Sequence, residues 1–215
     1  MDKRSGLLVT VVLCVILLGC SLPAGANVTT GSWWMNQSNE FSDGVNYGRV
    51  DITADDSTAT VSFQVTAFFL SSIYGTPDNF GIQKFGFNYA NVTSAPGEWT
   101  FGLSADWSYD IDRRMDGFGD FMVMVSGTGS SRQDPLTFNI SLPTAGDAIA
   151  SNFAVLSSGT AGQGNVFFAA HVAGFTNDPG SHFIGGSDII PAPGAIVLVS
   201  VGAGLVGWLR RKRML

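Results

Sequence analysis

Five aspartates lie within one short segment in the middle of this 215-residue chain. Hard cations such as Ca²⁺ prefer oxygen ligands, largely carboxylates and carbonyls. Asp110 and Asp112 would lie on one face of a strand, and Asp116 begins a tight Asp-Gly turn. Arg114 stands where an EF-hand would have its third acid. The segment therefore predicts either a Ca²⁺ site on Asp110, Asp112 and Asp116 or a solvated acidic loop neutralised by Arg113 and Arg114.

Two aromatic residues precede this cluster. Trp107 and Tyr109 share one strand face by their spacing. Exposed aromatic faces can stack on the apolar faces of sugars, but large aromatics also dominate β cores. The pair thus indicates either a carbohydrate-contact surface or ordinary core and edge packing.

Residues suited to acid–base catalysis are few. The chain has 2 histidines, His171 and His182, and no nucleophile-elbow motif. The glutamates, Glu40 and Glu98, are far apart in sequence, although glycoside hydrolysis needs two facing carboxylates. We expect His171 on the more polar side of its strand, as a satisfied sheet histidine. The sequence predicts a protein that is not an enzyme, with a hydrolase built on Asp pairs as an alternative.

The elements that must position these residues are strands. Period-two alternation is clear between residues 27 and 188, whereas helical periodicity is hard to find. The strongest alternation covers 61–66, 121–125, 136–142 and 166–172. Further candidate strands are Arg49–Ile52, Ile82–Tyr89, Trp99–Leu103 and Phe153–Leu156. With turns between them, these segments predict an all-β fold, a single β-sandwich or jelly-roll-like domain over residues 27–188.

Charge is scarce and unevenly distributed. Charged residues make up 13% of the chain, and residues 27–188 hold 16 acidic and 5 basic side chains. No basic patch could neutralise phosphates, which excludes nucleic acid as a partner. Both cysteines precede residue 27. A mature chain starting there has no disulfide and no Cys-ligated metal.

Residues 1–26 have the three parts of a secretory signal peptide. A charged start precedes the apolar run Leu7–Leu18, and small residues follow, ending in Ala24-Gly25-Ala26. Leu17-Leu18-Gly19-Cys20 is also typical of a lipobox, in which Cys20 becomes lipidated and forms the new N-terminus. Cleavage after Ala26 by signal peptidase and lipidation at Cys20 both remain open.

The C-terminal residues 189–215 combine a Pro motif, an apolar helix and a basic end. Pro191-Ala192-Pro193-Gly194 precede the apolar stretch Ala195–Leu209, which Arg210-Arg211-Lys212-Arg213 follow. We expect a transmembrane helix here, because the Pro-Gly extension and snorkelling Arg side chains compensate for its short length. The positive-inside rule keeps the basic cluster in the cytoplasm and residues 27–188 outside.

This order of parts resembles the PEP-CTERM sorting signal, with Ala192 where the commonest form has Glu. The resemblance covers residues 190–213 and implies processing by an exosortase-type transpeptidase. The middle of the chain, through segments such as Phe85-Gly86-Phe87-Asn88 and Phe168-Ala169-Ala170-His171-Val172, is similar to ectodomains that accompany this signal. That family has no assigned chemistry. A plain C-terminal membrane anchor with a Pro-rich hinge is the alternative.

Together these features predict an exported, non-catalytic protein of the cell surface or extracellular matrix. The C-terminal helix would anchor it transiently in the membrane. The resemblance also implies a biofilm setting with extracellular polysaccharide as a candidate partner. A carbohydrate-binding module on the cell surface is the first alternative and an Asp-pair hydrolase the second. No cofactor is expected unless the aspartate cluster binds Ca²⁺.

Overall fold

The computed structural model describes residues 27–90 and 95–191, which form two antiparallel sheets. The first sheet contains β1 (Val28–Met35), β3 (Gly48–Asp55), β4 (Thr60–Ala67), β6 (Thr100–Gly102), β9 (Leu136–Ser141) and β12 (Asp188–Ile189). The second contains β2 (Gln37–Ser38), β5 (Pro77–Phe87), β7 (Trp107–Met115), β8 (Gly119–Gly127), β10 (Phe168–Phe175) and β11 (Ser181–Gly186). One short helix, α1 (Ser71–Tyr74), and two 3₁₀ turns, Pro96–Glu98 and Ala150–Phe153, complete the elements of the described residues.

The strand order is β12-β1-β3-β4-β9-β6 in the first sheet and β2-β11-β10-β5-β8-β7 in the second. Buried residues of both sheets belong to one hydrophobic core, so the sheets pack face to face. The prediction of an all-β fold is confirmed. The edge strands β6 and β7 lie side by side, because Phe101 of β6 stacks on Tyr109 of β7 with ring centroids 4.0 Å apart.

Phe63 of β4 links the two sheets through its ring. It stacks on Phe138 of β9, with centroids 4.7 Å apart and planes 4° from parallel. Phe87 of the second sheet lies 4.8 Å away, and Phe153 of the 3₁₀ turn Ala150–Phe153 contacts Phe63 edge-on at 5.3 Å. The alternation predicted for 61–66 and 136–142 is confirmed, since every second residue of β4 and β9 is buried.

The outer faces of the two sheets differ. A second apolar cluster covers the outside of the second sheet and consists of Met115, Phe118, Phe121, Met124, Val166 and Ala169. The rings of this cluster pack closely on the strands beneath them: a methyl group on Gly185 of β11 would come within 2.9 Å of the Phe118 ring. Gly86 is similarly close to Phe121. The outer face of the first sheet carries short polar side chains instead, as the exposed positions of β4 and β9 show.

The predicted strand Phe153–Leu156 is wrong, because this segment follows the 3₁₀ turn Ala150–Phe153 and pairs with no strand. The backbone N–H of Ala90 donates to the Asn152 carbonyl, which ties the turn to the chain beyond β5. Burial of the Phe153 ring thus comes from a turn, which an apolar pattern alone does not distinguish from a strand.

The first sheet continues slightly beyond the predicted domain boundary at residue 188. Asp188 and Ile189 pair with Trp34 and Trp33 of β1. The Ile190 N–H then donates to the Ser32 carbonyl over 2.8 Å. Pro191 follows at once and is exposed. The Pro motif therefore begins where the sheet ends.

Removing the Phe63 ring should destabilise the whole sandwich. Because the side chain is 2% exposed and touches rings from both sheets, we expect Phe63→Ala to lower the free energy of unfolding by about 3–5 kcal/mol. Ser62→Ala, at the exposed neighbouring position, should change it by less than about 0.5 kcal/mol. Urea denaturation of both variants measures this. Equal, small losses would contradict the central position of Phe63.

Candidate functional site

The edge formed by β6 and β7 exposes aromatic and aliphatic surface. Tyr109 is 37% exposed and Ile111, two residues further along β7, is 39% exposed. The Phe101 ring supports one face of Tyr109, with planes 17° from parallel. An aromatic ring held in this way keeps its orientation and loses little freedom when a ligand stacks on it. We call Phe101, Tyr109 and Ile111 the edge strip.

The edge strip connects to the interior through further rings. Trp99 lies 6.2 Å from Phe101 and contacts Tyr89 edge-on at 5.2 Å. Trp99 and Tyr89 are buried. The exposed ring of Tyr109 is thus the outer end of an aromatic row that is fixed in the core.

Trp107 corrects part of the carbohydrate prediction. Its side chain is only 8% exposed, and its indole N–H donates to the Ser131 carbonyl over 2.8 Å. A methyl group on Gly127 would come within 2.6 Å of the indole ring, so backbone covers that side. Trp107 is an anchor of β7 and offers no ring face to a sugar. It shares a strand face with Tyr109 by spacing, but its ring is buried whereas that of Tyr109 is exposed.

The predicted Ca²⁺ ligands do not assemble into a group in the structure. Asp110 forms an exposed ion pair with Arg113 at 3.2 Å, and Asp116 lies exposed in the turn between β7 and β8. Among residues 27–90 and 95–191, no three His, Cys, Asp or Glu side chains are placed so that they could hold a metal ion. Asp112 lies in a groove without Asp110 and Asp116.

That groove has a volume of about 460 Å³, and Asp112, which directly follows Ile111 of the edge strip, is part of its lining. Its polar lining comes from Asp112, Asp120, Asn88 and Ser158, and its apolar lining includes the exposed side chain of Leu156. Two carboxylates and a hydroxyl beside an apolar wall form a surface that suits a polyhydroxylated ligand.

Asn88 fixes one wall of this groove. Its amide N–H donates to the Val155 carbonyl over 3.3 Å, and its amide oxygen accepts the Met122 N–H at 2.7 Å. The backbone of Asp120 exchanges two hydrogen bonds with Ser158 on another side. Sequence reasoning missed the groove because its walls come from four separate segments. Asn88 followed an apolar strand in sequence, but nothing there indicated its partners.

His182 is buried in a hydrogen-bonded network that no sequence pattern indicated. The Ser38 hydroxyl accepts the N–H groups of Glu40 and Phe41, so its own hydrogen is directed to His182 Nδ1 at 2.9 Å. Nε2 then carries the ring proton and donates to the Tyr74 hydroxyl, also at 2.9 Å. The partners lie 144 and 108 residues away in sequence.

Burial gives His182 a structural role. The pKa of the imidazole falls to about 4, first because burial disfavours the charged form and second because His171 adds repulsion. Rings of Phe41, Tyr47, Tyr74 and Phe175 surround it. Tyr74 itself has a pKa above its usual value, mainly through burial. A neutral, enclosed histidine has no access to substrate.

His171 lies on the outer face of the second sheet, half-buried against Phe183 at 4.6 Å. Burial, together with Lys84 and Arg132, lowers the pKa of this histidine to about 4. Its Nδ1 has no hydrogen-bond partner among the described residues. The expectation of a satisfied sheet histidine is therefore wrong for Nδ1, which makes no hydrogen bond among the described residues. The ring packs against Phe183 instead.

Several predicted residues lie outside the described part of the chain. They are the signal peptide 1–26 with Cys20, the motif residues Ala192, Pro193 and Gly194, the apolar stretch, and the basic cluster Arg210, Arg211, Lys212 and Arg213. Within residues 27–90 and 95–191, no helix has the length and apolarity needed to cross a membrane.

Comparison of the chain with protein-family models, with curated proteins and with solved structures finds no match in any of the three.

The buried histidine predicts a loss of stability in mild acid. His182 titrates near 6.5 when unfolded and near 4 when folded, so the unfolded chain binds more protons between these values. Stability therefore falls as the pH is lowered through this range. Between about pH 7 and about pH 4.5 this histidine should account for a loss of about 2.5 kcal/mol.

We expect His182→Gln to have a shallower pH dependence than the wild type, measured by urea denaturation at both pH values. His171→Gln should also flatten the profile, because the pKa of that histidine is lowered to about 4 as well. The carboxylates are common to all three proteins. Parallel pH profiles of His182→Gln and wild type would contradict a neutral, buried His182.

Proposed function

We propose that this chain is an exported, non-catalytic protein of the cell surface or extracellular matrix that contacts extracellular polysaccharide. In this proposal, residues 27–188 act as a single jelly-roll-like β-sandwich domain. Residues 1–26 serve as signal peptide, and residues 189–215 serve as a sorting tail and transient membrane anchor. The edge strip carries the polysaccharide contact: an exposed Tyr109 ring held flat on Phe101.

The charges around the edge strip support a neutral ligand. Residues 27–188 are strongly acidic. An anionic polymer would be repelled unless divalent cations bridge the two surfaces. Aromatic stacking, in contrast, needs no charge and suits the apolar face of a sugar ring. The same surface supports the alternative of a dedicated carbohydrate-binding module, with Tyr109 as its central contact.

A second candidate, a hydrolase built on an Asp pair, gains one observation. Asp112 and Asp120 line the same groove. Asp120 lies 3.6 Å from Arg114, which holds that carboxylate in an exposed ion pair. A retained polymer that is also shortened on incubation would favour the hydrolase over the binding role.

The end of the sheet supports the sorting proposal. β12 is an edge strand, and Pro191 is exposed directly after the last hydrogen bond of that edge. The Pro motif therefore begins at the surface of the folded domain, where a membrane-embedded transpeptidase of the exosortase type can reach it without unfolding the sheet.

Truncating the exposed ring should weaken polymer binding. In affinity electrophoresis through gels containing a neutral β-glucan, we expect Tyr109→Ala to weaken retention about tenfold, because one stacking contact provides about 1.4 kcal/mol. Tyr109→Phe keeps the ring and should bind as the wild type does. Retention of Tyr109→Ala equal to that of the wild type would refute the contact, and a wild type that no glucan retards would refute the polysaccharide role.

Changing the Pro motif should block tail removal if residues 189–215 are a sorting signal. We expect Pro191→Ala/Pro193→Ala to remain in the membrane fraction at its full C-terminal length, measured by peptide mass after proteolysis. Asp188→Asn, just before the motif, is a control that should be processed normally. Normal removal of the tail from the double variant would leave only a plain anchor with a Pro-rich hinge.

A further inference from the structure

We propose that the outer face of the first sheet is a second contact surface for polysaccharide, specific for an uncharged, hydroxyl-rich polymer. This inference rests on the polysaccharide contact proposed above and extends it, because it assigns the chemical class of the polymer and a site away from the aromatic edge strip. We call this surface the hydroxyl face and define it by Thr53, Ser62, Gln64, Thr137 and Asn139.

The strand register places these side chains in two neighbouring rows. Ser62 of β4 lies between Thr53 of β3 and Asn139 of β9. In the next row, Gln64 lies between Asp51 and Thr137. All of them line one shallow depression of about 230 Å³ on the sheet surface. Neighbouring strands are about 4.8 Å apart, so the rows present hydrogen-bonding groups at short, regular intervals.

The hydrogen-bonding capacity of the hydroxyl face is unused within the protein. Its five side chains make no hydrogen bond to other groups in residues 27–90 and 95–191. Each hydroxyl or amide can both donate and accept. A sugar polymer offers hydroxyl groups with the same dual capacity and can replace the water bound to this face without leaving a polar group unpaired.

Charge on this face is neutralised locally. Asp51 is the one charged residue that lines the depression, and its carboxylate accepts from Arg49 at 2.6 Å. Soluble proteins usually carry far more charge on an exposed surface. An uncharged face on an acidic domain favours a neutral polymer over an anionic one, which the net negative charge of the domain repels.

The position of the hydroxyl face agrees with the edge strip. Asn139 lies opposite Gly102 of β6, which has no side chain to block the rim. Phe101, the next residue, supports Tyr109. A polymer lying across β3, β4 and β9 can therefore continue over β6 to the Tyr109 ring. The outer face of the second sheet offers no such path, because the second apolar cluster, which includes Phe118, covers it.

A single long side chain in the centre of the hydroxyl face tests this inference. Ser62→Lys places a long side chain with a charged end in the middle of the first row, between Thr53 and Asn139. Thr144→Lys adds the same charge at an exposed bend outside both rows. We expect Ser62→Lys to raise the Kd for a soluble neutral β-glucan about tenfold or more, and Thr144→Lys to leave it unchanged. Asn139→Ala should weaken binding without adding charge. Thermal melts show whether each variant is folded. If Ser62→Lys does not fold, the glucan affinity of Asn139→Ala tests the hydroxyl face.

The outcomes separate this inference from the proposed function. If Tyr109→Ala weakens glucan binding while Ser62→Lys and Asn139→Ala bind as the wild type does, the hydroxyl face is not a contact surface and the proposed function stands. If no neutral glucan binds the wild type, both are wrong. Alginate serves as the anionic comparison. Binding of alginate at the hydroxyl face, lost in Asn139→Ala, would overturn the assignment of an uncharged polymer.

Discussion

The stacked rings of Phe63 and Phe138 hold the first sheet against Phe87 of the second, and the remaining structure depends on this contact. Both cysteines of the chain precede residue 27, so no disulfide can join the sheets. The ion pairs of the described residues are exposed or partly exposed and contribute little. Burial of large aromatic side chains is therefore the main force that keeps the sandwich closed.

Because the core is supplied by the inner faces, the two outer faces are free to differ. The second sheet uses glycines such as Gly86 and Gly185 to make room for the rings of Phe121 and Phe118 that pack on it. The first sheet keeps short uncharged side chains and stays open to solvent. The edge between β6 and β7 joins these regions, and there the aromatic row from Tyr89 reaches the surface at Tyr109.

Much of the fold follows from period-two alternation, as β4 and β9 demonstrate. The apolar pattern of Phe153–Leu156 failed because a buried turn and a buried strand have the same composition. Burial also changed the aromatic prediction: Trp107 and Tyr109 share a face by spacing, but only the open edge beyond β6 leaves Tyr109 exposed. The His182 network could not be predicted, because Ser38 and Tyr74 come to it from distant parts of the chain. The hydroxyl face needed the strand order, since its rows combine residues of three strands.

The proposed function requires that the folded domain is exported and released from both of its terminal segments. The intact mass of the mature protein, taken from envelope and medium fractions, tests it most directly. We predict a chain that starts near Asn27 and ends between Pro191 and Gly194. A mass that retains Ala195–Leu215 would contradict the sorting account and leave a β-sandwich on a permanent C-terminal anchor.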